Sequence, residues 1–141
     1  MNDEVMYQDD MSQVPDPGDV PEPGVYRVRV SAVKTHDENG NQLLSKESQK
    51  PKIQLSLKVQ SEGSMFGRVI PDSPSLEPTA LFKLKAYYNA IDYKPQGGHN
   101  PHKLLDGEFW ILVEASTYKG KKSFNIPPWG IKSLTEGPVR A

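Results

Sequence analysis

In residues 25–32, Val25-Tyr26-Arg27-Val28-Arg29-Val30-Ser31-Ala32, apolar and polar side chains alternate from Tyr26 onward. Tyr26, Val28, Val30 and Ala32 fall on one face, and Arg27, Arg29 and Ser31 on the other. A period of two residues is that of a β-strand with one face in the core and one in water. Here the watered face is basic. Pro23-Gly24, directly upstream, is a turn signal that marks where order begins.

The same period returns downstream. Ile53, Leu55, Leu57 and Val59 alternate with Gln54, Ser56 and Lys58, which predicts a second strand. Asp37-Glu38-Asn39-Gly40-Asn41 reads as a turn between the two, followed by a polar, basic and mobile loop from Gln42 to Pro51. Ser61-Glu62-Gly63-Ser64 turns the chain into a short third strand around Met65 to Ile70, after which Pro71, Pro74 and Pro78 exclude regular structure. Leu81, Leu84, Tyr88 and Ile91 then stand at i, i+3, i+7 and i+10, the apolar stripe of a helix that ends before Pro95-Gln96-Gly97-Gly98. Tyr88 belongs to that stripe, whereas nothing in the spacing places Tyr87 or Tyr93. Asp106-Gly107 opens a fourth strand, with Phe109, Ile111, Val113 and Ala115 on one face and Trp110, Leu112 and Glu114 on the other. Tyr118-Lys119-Gly120-Lys121 is a hairpin turn, Lys122 to Pro127 the fifth strand, and Pro127-Pro128-Trp129-Gly130 its close.

Strand, strand, strand, helix, strand, strand predicts a mainly β protein: a five-stranded, OB-like antiparallel barrel with one helix between strands 3 and 4. Barrels of that kind commonly bind oligonucleotides on a sheet face and its flanking loops. The expected organisation is a disordered, acidic, Pro-rich tail over residues 1–24, the OB-like domain over 25–135 and a short extension over 136–141.

The 141 residues carry a formal net charge of −1, which conceals two unlike parts. Residues 1–24 hold seven of the 18 acids (Asp3, Glu4, Asp9, Asp10, Asp16, Asp19, Glu22) and none of the 17 bases. The remainder sets 17 bases against 11 acids, a net of +6 beside a tail of −7. Such asymmetry suggests a polyanionic partner.

Basic residues interleaved with aromatics carry the functional expectation. Tyr118-Lys119-Gly120-Lys121-Lys122-Ser123-Phe124 puts three lysines and two rings on one hairpin. Lysine neutralises phosphate and releases counterions, and a ring gives an unpaired base a surface to stack on. Arg27 and Arg29 share the outer face of the first strand with Lys58 of the second, a basic strip if the two strands pair. Trp110 lies on the outer face of its strand, either covered by another element or free to stack, and Trp129 between Pro128 and Gly130 faces the same choice. The candidate DNA-binding residues are therefore Arg27, Arg29, Lys58, Trp110, Tyr118, Lys119, Lys121, Lys122, Phe124 and Trp129.

Catalytic chemistry finds little support. No cysteine is present, so disulfides, thiolate metal sites and thiol nucleophiles are excluded. His99-Asn100-Pro101-His102 with Asp106 offers three ligands at most from a Pro/Gly-rich loop, and reads as a polar loop rather than a zinc site. Phosphate-loop, nucleophile-elbow and His-Glu-x-x-His motifs are all missing. No catalytic residue, metal or cofactor is expected. No apolar run approaches the roughly 20 residues of a membrane-spanning helix, and the acidic start lacks a secretory signal. A cytoplasmic protein is expected.

Several segments carry a likeness to a known group: Pro23-Gly24-Val25-Tyr26-Arg27-Val28, Lys52-Ile53-Gln54-Leu55-Ser56-Leu57-Lys58-Val59, Leu84-Lys85-Ala86-Tyr87-Tyr88-Asn89-Ala90-Ile91, and Leu105-Asp106-Gly107-Glu108-Phe109-Trp110 through Tyr118-Lys119-Gly120-Lys121. In their order and spacing they resemble small phage and prophage single-stranded-DNA-binding proteins of OB-fold type. The resemblance implies sequence-tolerant coating of single-stranded DNA in phage replication or recombination, in the host cytoplasm, alongside replication or recombination proteins. These proteins commonly carry an acidic tail at the C-terminus, whereas here the acids are N-terminal, so recruitment through a C-terminal acidic tip does not transfer. The acidic stretch is expected instead either to occupy the basic groove of its own or a neighbouring subunit or to act only as a solubilising tail. The competing expectation is a phage accessory or assembly factor whose β-barrel binds a protein partner.

Overall fold

A computed structural model describes residues 20–45 and 48–139 of the protein. The expectation of a disordered tail falls mostly on residues 1–19, outside the described residues. Seven elements follow in order: β1 (Gly24–Lys34), β2 (Gln54–Val59), β3 (Val69–Asp72), α1 (Phe82–Ala90), β4 (Glu108–Tyr118), β5 (Lys121–Asn125) and β6 (Lys132–Ser133). All strand pairings are antiparallel. The sheet runs β3-β2-β1-β4-β5, and β6 pairs with β4 beside β5. The protein is thus mainly β with one helix between the third and fourth strands, but with six strands rather than five. The sheet is not closed: β3 and β5 are its ends and do not pair with each other.

The alternation read from the sequence builds the core. Val28 and Val30 of β1, Leu55, Leu57 and Val59 of β2, Ile70 of β3, and Phe109, Ile111 and Val113 of β4 are all buried in one cluster. The period breaks once. The β1–β2 register shifts between Val30 and Ala32, and a bulge of that kind swaps the faces of the residues beyond it. Ala32, expected inward, is therefore exposed, and Val33 packs against the core in its place.

The third strand also differs from its expected position. Residues 65–67 form the turn, Met65 pointing into the core, and the strand itself is Val69–Asp72. It includes Pro71, opposite Ser56. Proline is tolerated there because β3 is an edge strand whose outward N–H has no ladder bond to lose.

Helix α1 packs against β6 and the Pro128–Gly130 turn and is tied to the end of β3. Leu84 and Tyr88 of the predicted stripe are buried, and Leu81 and Ile91 pack against the core from just outside the helix. The helix stops at Ala90, before the Pro/Gly segment, because Asp92 turns left-handed (φ 58°) and the Tyr93 N–H closes back on the Tyr88 carbonyl at 2.8 Å. Tyr87, which the spacing left unplaced, is the largest fully buried side chain. Its ring centroid is 5.4 Å from that of Phe109, and its hydroxyl donates to Asp72 Oδ2 at 2.5 Å. Asp72 Oδ1 also accepts from Lys83 Nζ at 2.9 Å. These two bonds fasten α1 to the end of β3, while its other flank packs on β6 and the Pro128–Gly130 turn.

Hydrogen bonds tie together parts of the long connection after β1. Asp37 Oδ1 accepts from the Asn39 and Asn41 N–H groups at 2.9 Å each, bonds that hold its carboxyl below the usual range. Gln42 Nε2 donates to the Thr35 and Lys52 carbonyls, tying the two ends of the loop together. Residues 46 and 47 lie outside the described residues.

Burial also governs the tyrosines of α1. It pushes the Tyr88 phenol up to about 12, with Tyr93 as a lesser cause, and moves Tyr87 in the same direction, with Asp72 adding to the shift. Both phenols keep their protons in the folded state at pH values where the unfolded chain, titrating near 10, has lost them. Their contribution to stability is full below pH 10 and falls as the pH rises through the folded values. Thermal melts from pH 8 to 12 should show a flat midpoint up to about pH 10 and a steep fall above it. A midpoint unchanged at pH 11 would contradict this account.

Candidate nucleic-acid interface

The strand register decides which cations stand together. In β1, Val28 and Val30 point inward, so Arg27 and Arg29 stand on the outer face, and both are exposed. Arg29 is paired across the β1–β2 ladder with Lys58, also exposed. On the other side of β1, Arg27 is paired with Trp110 and Arg29 with Glu108. Beyond β4, Trp110 is paired with Lys132 of β6. Directly opposed residues share a face, with Cβ atoms about 4.5–5.5 Å apart. Two parallel rows result: Lys58, Arg29, Glu108 and, beside it, Arg27, Trp110, Lys132.

Arg27, Arg29 and Lys58 take part in no ion pair among the described residues, whereas Lys83 and Lys50 are held by Asp72 and Glu77. Lys132 stands 3.9 Å from Glu136, in a partly exposed pair. Glu108 is the acid within the rows. Trp110 is half-buried, flanked on its own face by Arg27 and Lys132.

Two residues along the same face, Leu112 is buried yet stands apart from the core cluster. The Pro128–Gly130 turn lies over it so closely that a Cβ on Gly130 would stand 2.7 Å from Leu112 Cβ. Glycine is the residue that permits this approach. The turn carries Trp129, 56% exposed, at the border of the basic face.

The hairpin divides the residues expected to act with this strip. Lys119 (φ 51°) and Gly120 (φ 78°) form a two-residue loop with both positions left-handed, the geometry that matches strand twist. Lys122 is paired with Thr117 and Phe124 with Ala115, on the face that continues from Ile111 and Val113. Phe124 accordingly packs against the core. Residue 118 is paired with Lys121, and the Tyr118 side chain, expected in the site, lies outside what is described. Lys119, Lys121 and Lys122 are exposed. Arg27, Arg29, Lys58 and Trp110 thus form one surface with Trp129 at its border and Lys121 further along β4, while Lys122 and Phe124 belong to the opposite face.

Sequence reading missed Lys132, whose two-residue strand is too short to show a period. It also missed Val69, 52% exposed and paired with Lys58, and Phe66, 62% exposed in the turn before β3. The histidines of the 99–102 loop are engaged separately: His99 Nδ1 lies 2.7 Å from Tyr88 Oη, and His102 Nε2 3.4 Å from Thr35 Oγ1. Among the described residues no group of three or more His, Asp or Glu is placed to hold a metal ion, and no helix is long and apolar enough to cross a membrane.

No protein-family model and no curated protein matches this chain.

Proposed function

We propose that this chain binds single-stranded DNA, without strong sequence preference, on the outer face of an OB-like barrel. The observation that carries the reading is the cross-strand surface of Arg27, Arg29 and Lys58 around Trp110, three exposed cations with no ion-pair partner among the described residues. Cations tracking a backbone beside an accessible ring are what sequence-tolerant single-strand binding requires. The strand path β3-β2-β1-β4-β5, with one helix between β3 and β4 in the chain, is compatible with an OB-like barrel. A place in phage replication or recombination, implied by the resemblance, belongs to the same proposal.

Tryptophan fluorescence during titration with oligo-dT and with duplex DNA tests it, at two or more salt concentrations. Single strands should quench the emission and bind in preference to duplex. If ~4–6 phosphates are neutralised, log K should fall against log salt with a slope of roughly −3 to −4. Absence of both quenching and salt-dependent binding would refute this reading in favour of a protein partner.

A further inference from the structure

A concavity also opens beside the helix. It is a cleft of about 540 Å³ between α1 and the 93–99 loop. Leu81, Leu84, Tyr88 and Tyr93 give it apolar walls. The Tyr88 ring is held edge-on by Tyr93, with centroids 4.9 Å apart, and by its hydroxyl bond to His99. Two lysines also line it, Lys85 from the helix and Lys94 from the loop. Lys85 has no ion pair among the described residues, and Lys94 has only an open contact of 3.6 Å with the exposed Asp92. The cleft therefore favours a ligand that combines apolar side chains with neighbouring acids, in the size range of ordinary binding pockets.

The chain contains such a segment. Asp3-Glu4-Val5-Met6-Tyr7-Gln8-Asp9-Asp10-Met11 has three consecutive apolar residues between two pairs of acids and no base. The cleft offers apolar walls to Val5, Met6 and Tyr7 and two lysines to the flanking acids. Reach is sufficient. The described chain emerges near Ser64, whose hydroxyl donates to Glu22 at 3.0 Å, at the start of β1. The cleft lies towards the other end, since His99 also lines a hollow with Thr35 and His36 just past β1. An 11-residue strand covers about 36 Å, and the 17 residues from Tyr7 to Gly24 can extend to about 56 Å.

We infer that residues 3–11 dock in the α1 cleft of their own chain, with Val5, Met6 and Tyr7 against its apolar walls and the flanking acids towards Lys85 and Lys94. The segment then leaves the basic face uncovered, in place of the expectation that it occupies that groove. This docking does not depend on what the outer face binds.

Because the natural chain has no cysteine, the test can use introduced pairs in the full-length protein without nucleic acid. Gln8→Cys with Asn89→Cys places one thiol in the segment and one beside the cleft. Gln8→Cys with Ser116→Cys places the second thiol on the outer face of β4. Under mild oxidation the first pair should close an intramolecular disulfide at least about tenfold faster, the advantage of raised local concentration. Met6→Ser/Met11→Ser and Lys85→Ala/Lys94→Ala should each abolish that advantage. Equal rates, faster closure to residue 116, an advantage insensitive to both double variants, or predominantly intermolecular cross-links would each overturn the inference. Amide NMR of the otherwise unmodified full chain gives a second reading. Met6→Ser/Met11→Ser should shift signals of residues 81–89 and 93–97, and their invariance would equally overturn it.

Discussion

Replacing Tyr87 by alanine is expected to remove much of this protein's stability, about 3–5 kcal/mol by analogy with other large aromatic truncations. Domains of this size are stable by roughly 5–15 kcal/mol in total. The ring is fully buried against Phe109, so its loss leaves a cavity where α1 meets the sheet. The same substitution deprives Asp72 of its hydroxyl donor and leaves Lys83 as the sole remaining link of that carboxylate to the helix. Tyr87→Phe separates the two contributions. It keeps the packing and leaves the carboxylate one donor short, a loss of about 1–3 kcal/mol. Urea denaturation should place Tyr87→Phe between the parent and Tyr87→Ala. Equal midpoints for the two variants would mean that the ring contributes nothing beyond its hydroxyl, contrary to the packing described.

The second large effect concerns binding. Arg27→Ala/Arg29→Ala/Lys58→Ala should flatten the dependence of log K on log salt by about 2, since each phosphate contact on a single strand contributes roughly 0.7. Affinity at low salt should fall accordingly, while stability stays within about 0.5 kcal/mol, because these side chains are exposed. Trp110→Ala should weaken binding about 5- to 150-fold, the equivalent of one stacked base at 1–3 kcal/mol, with little change of salt slope. Lys103→Ala, an exposed cation in the loop before β4, serves as the control and should leave the slope unchanged. A triple variant with the parent slope would move the phosphate contacts away from this face.

The division between what was legible and what was not follows from the range of the interactions. Alternation over 26–30 and 53–59 is a local property, and the structure reproduces it in the core, together with the inward face of Phe109, Ile111 and Val113. The pairing of Arg29 with Lys58 followed once β1 and β2 were taken as neighbours. The bulge after Val30 is not local: it accommodates the match between β1 and β2 and leaves no mark in the alternation, which runs on to Ala32. Tyr87 and Tyr88 are adjacent in a helix and both are buried, because α1 has the sheet on one side and the 93–99 loop on another. A stripe built on one face could identify only Tyr88. The hairpin residues 118–124 looked like one group in sequence, yet strand geometry sends neighbours to opposite faces. Lys132 joins the site only because the chain returns along β4 after the Pro128–Gly130 turn, a long-range contact with no periodic signature.

That return along β4, with β3 at the far end of the sheet, bears on how copies could stand side by side on a polymer. An exposed strand edge is a template on which another chain can add. The free flank of β4 is occupied twice by its own chain, first by β5 and then by β6. Of the two edges left open, β3 has Pro71, which offers no N–H to a newcomer, and β5 begins with Lys121 and Lys122, which repel a second copy of themselves. Each edge is blunted by different chemistry. Neighbouring molecules can therefore lie side by side through side-chain contacts without their sheets fusing into a fibre.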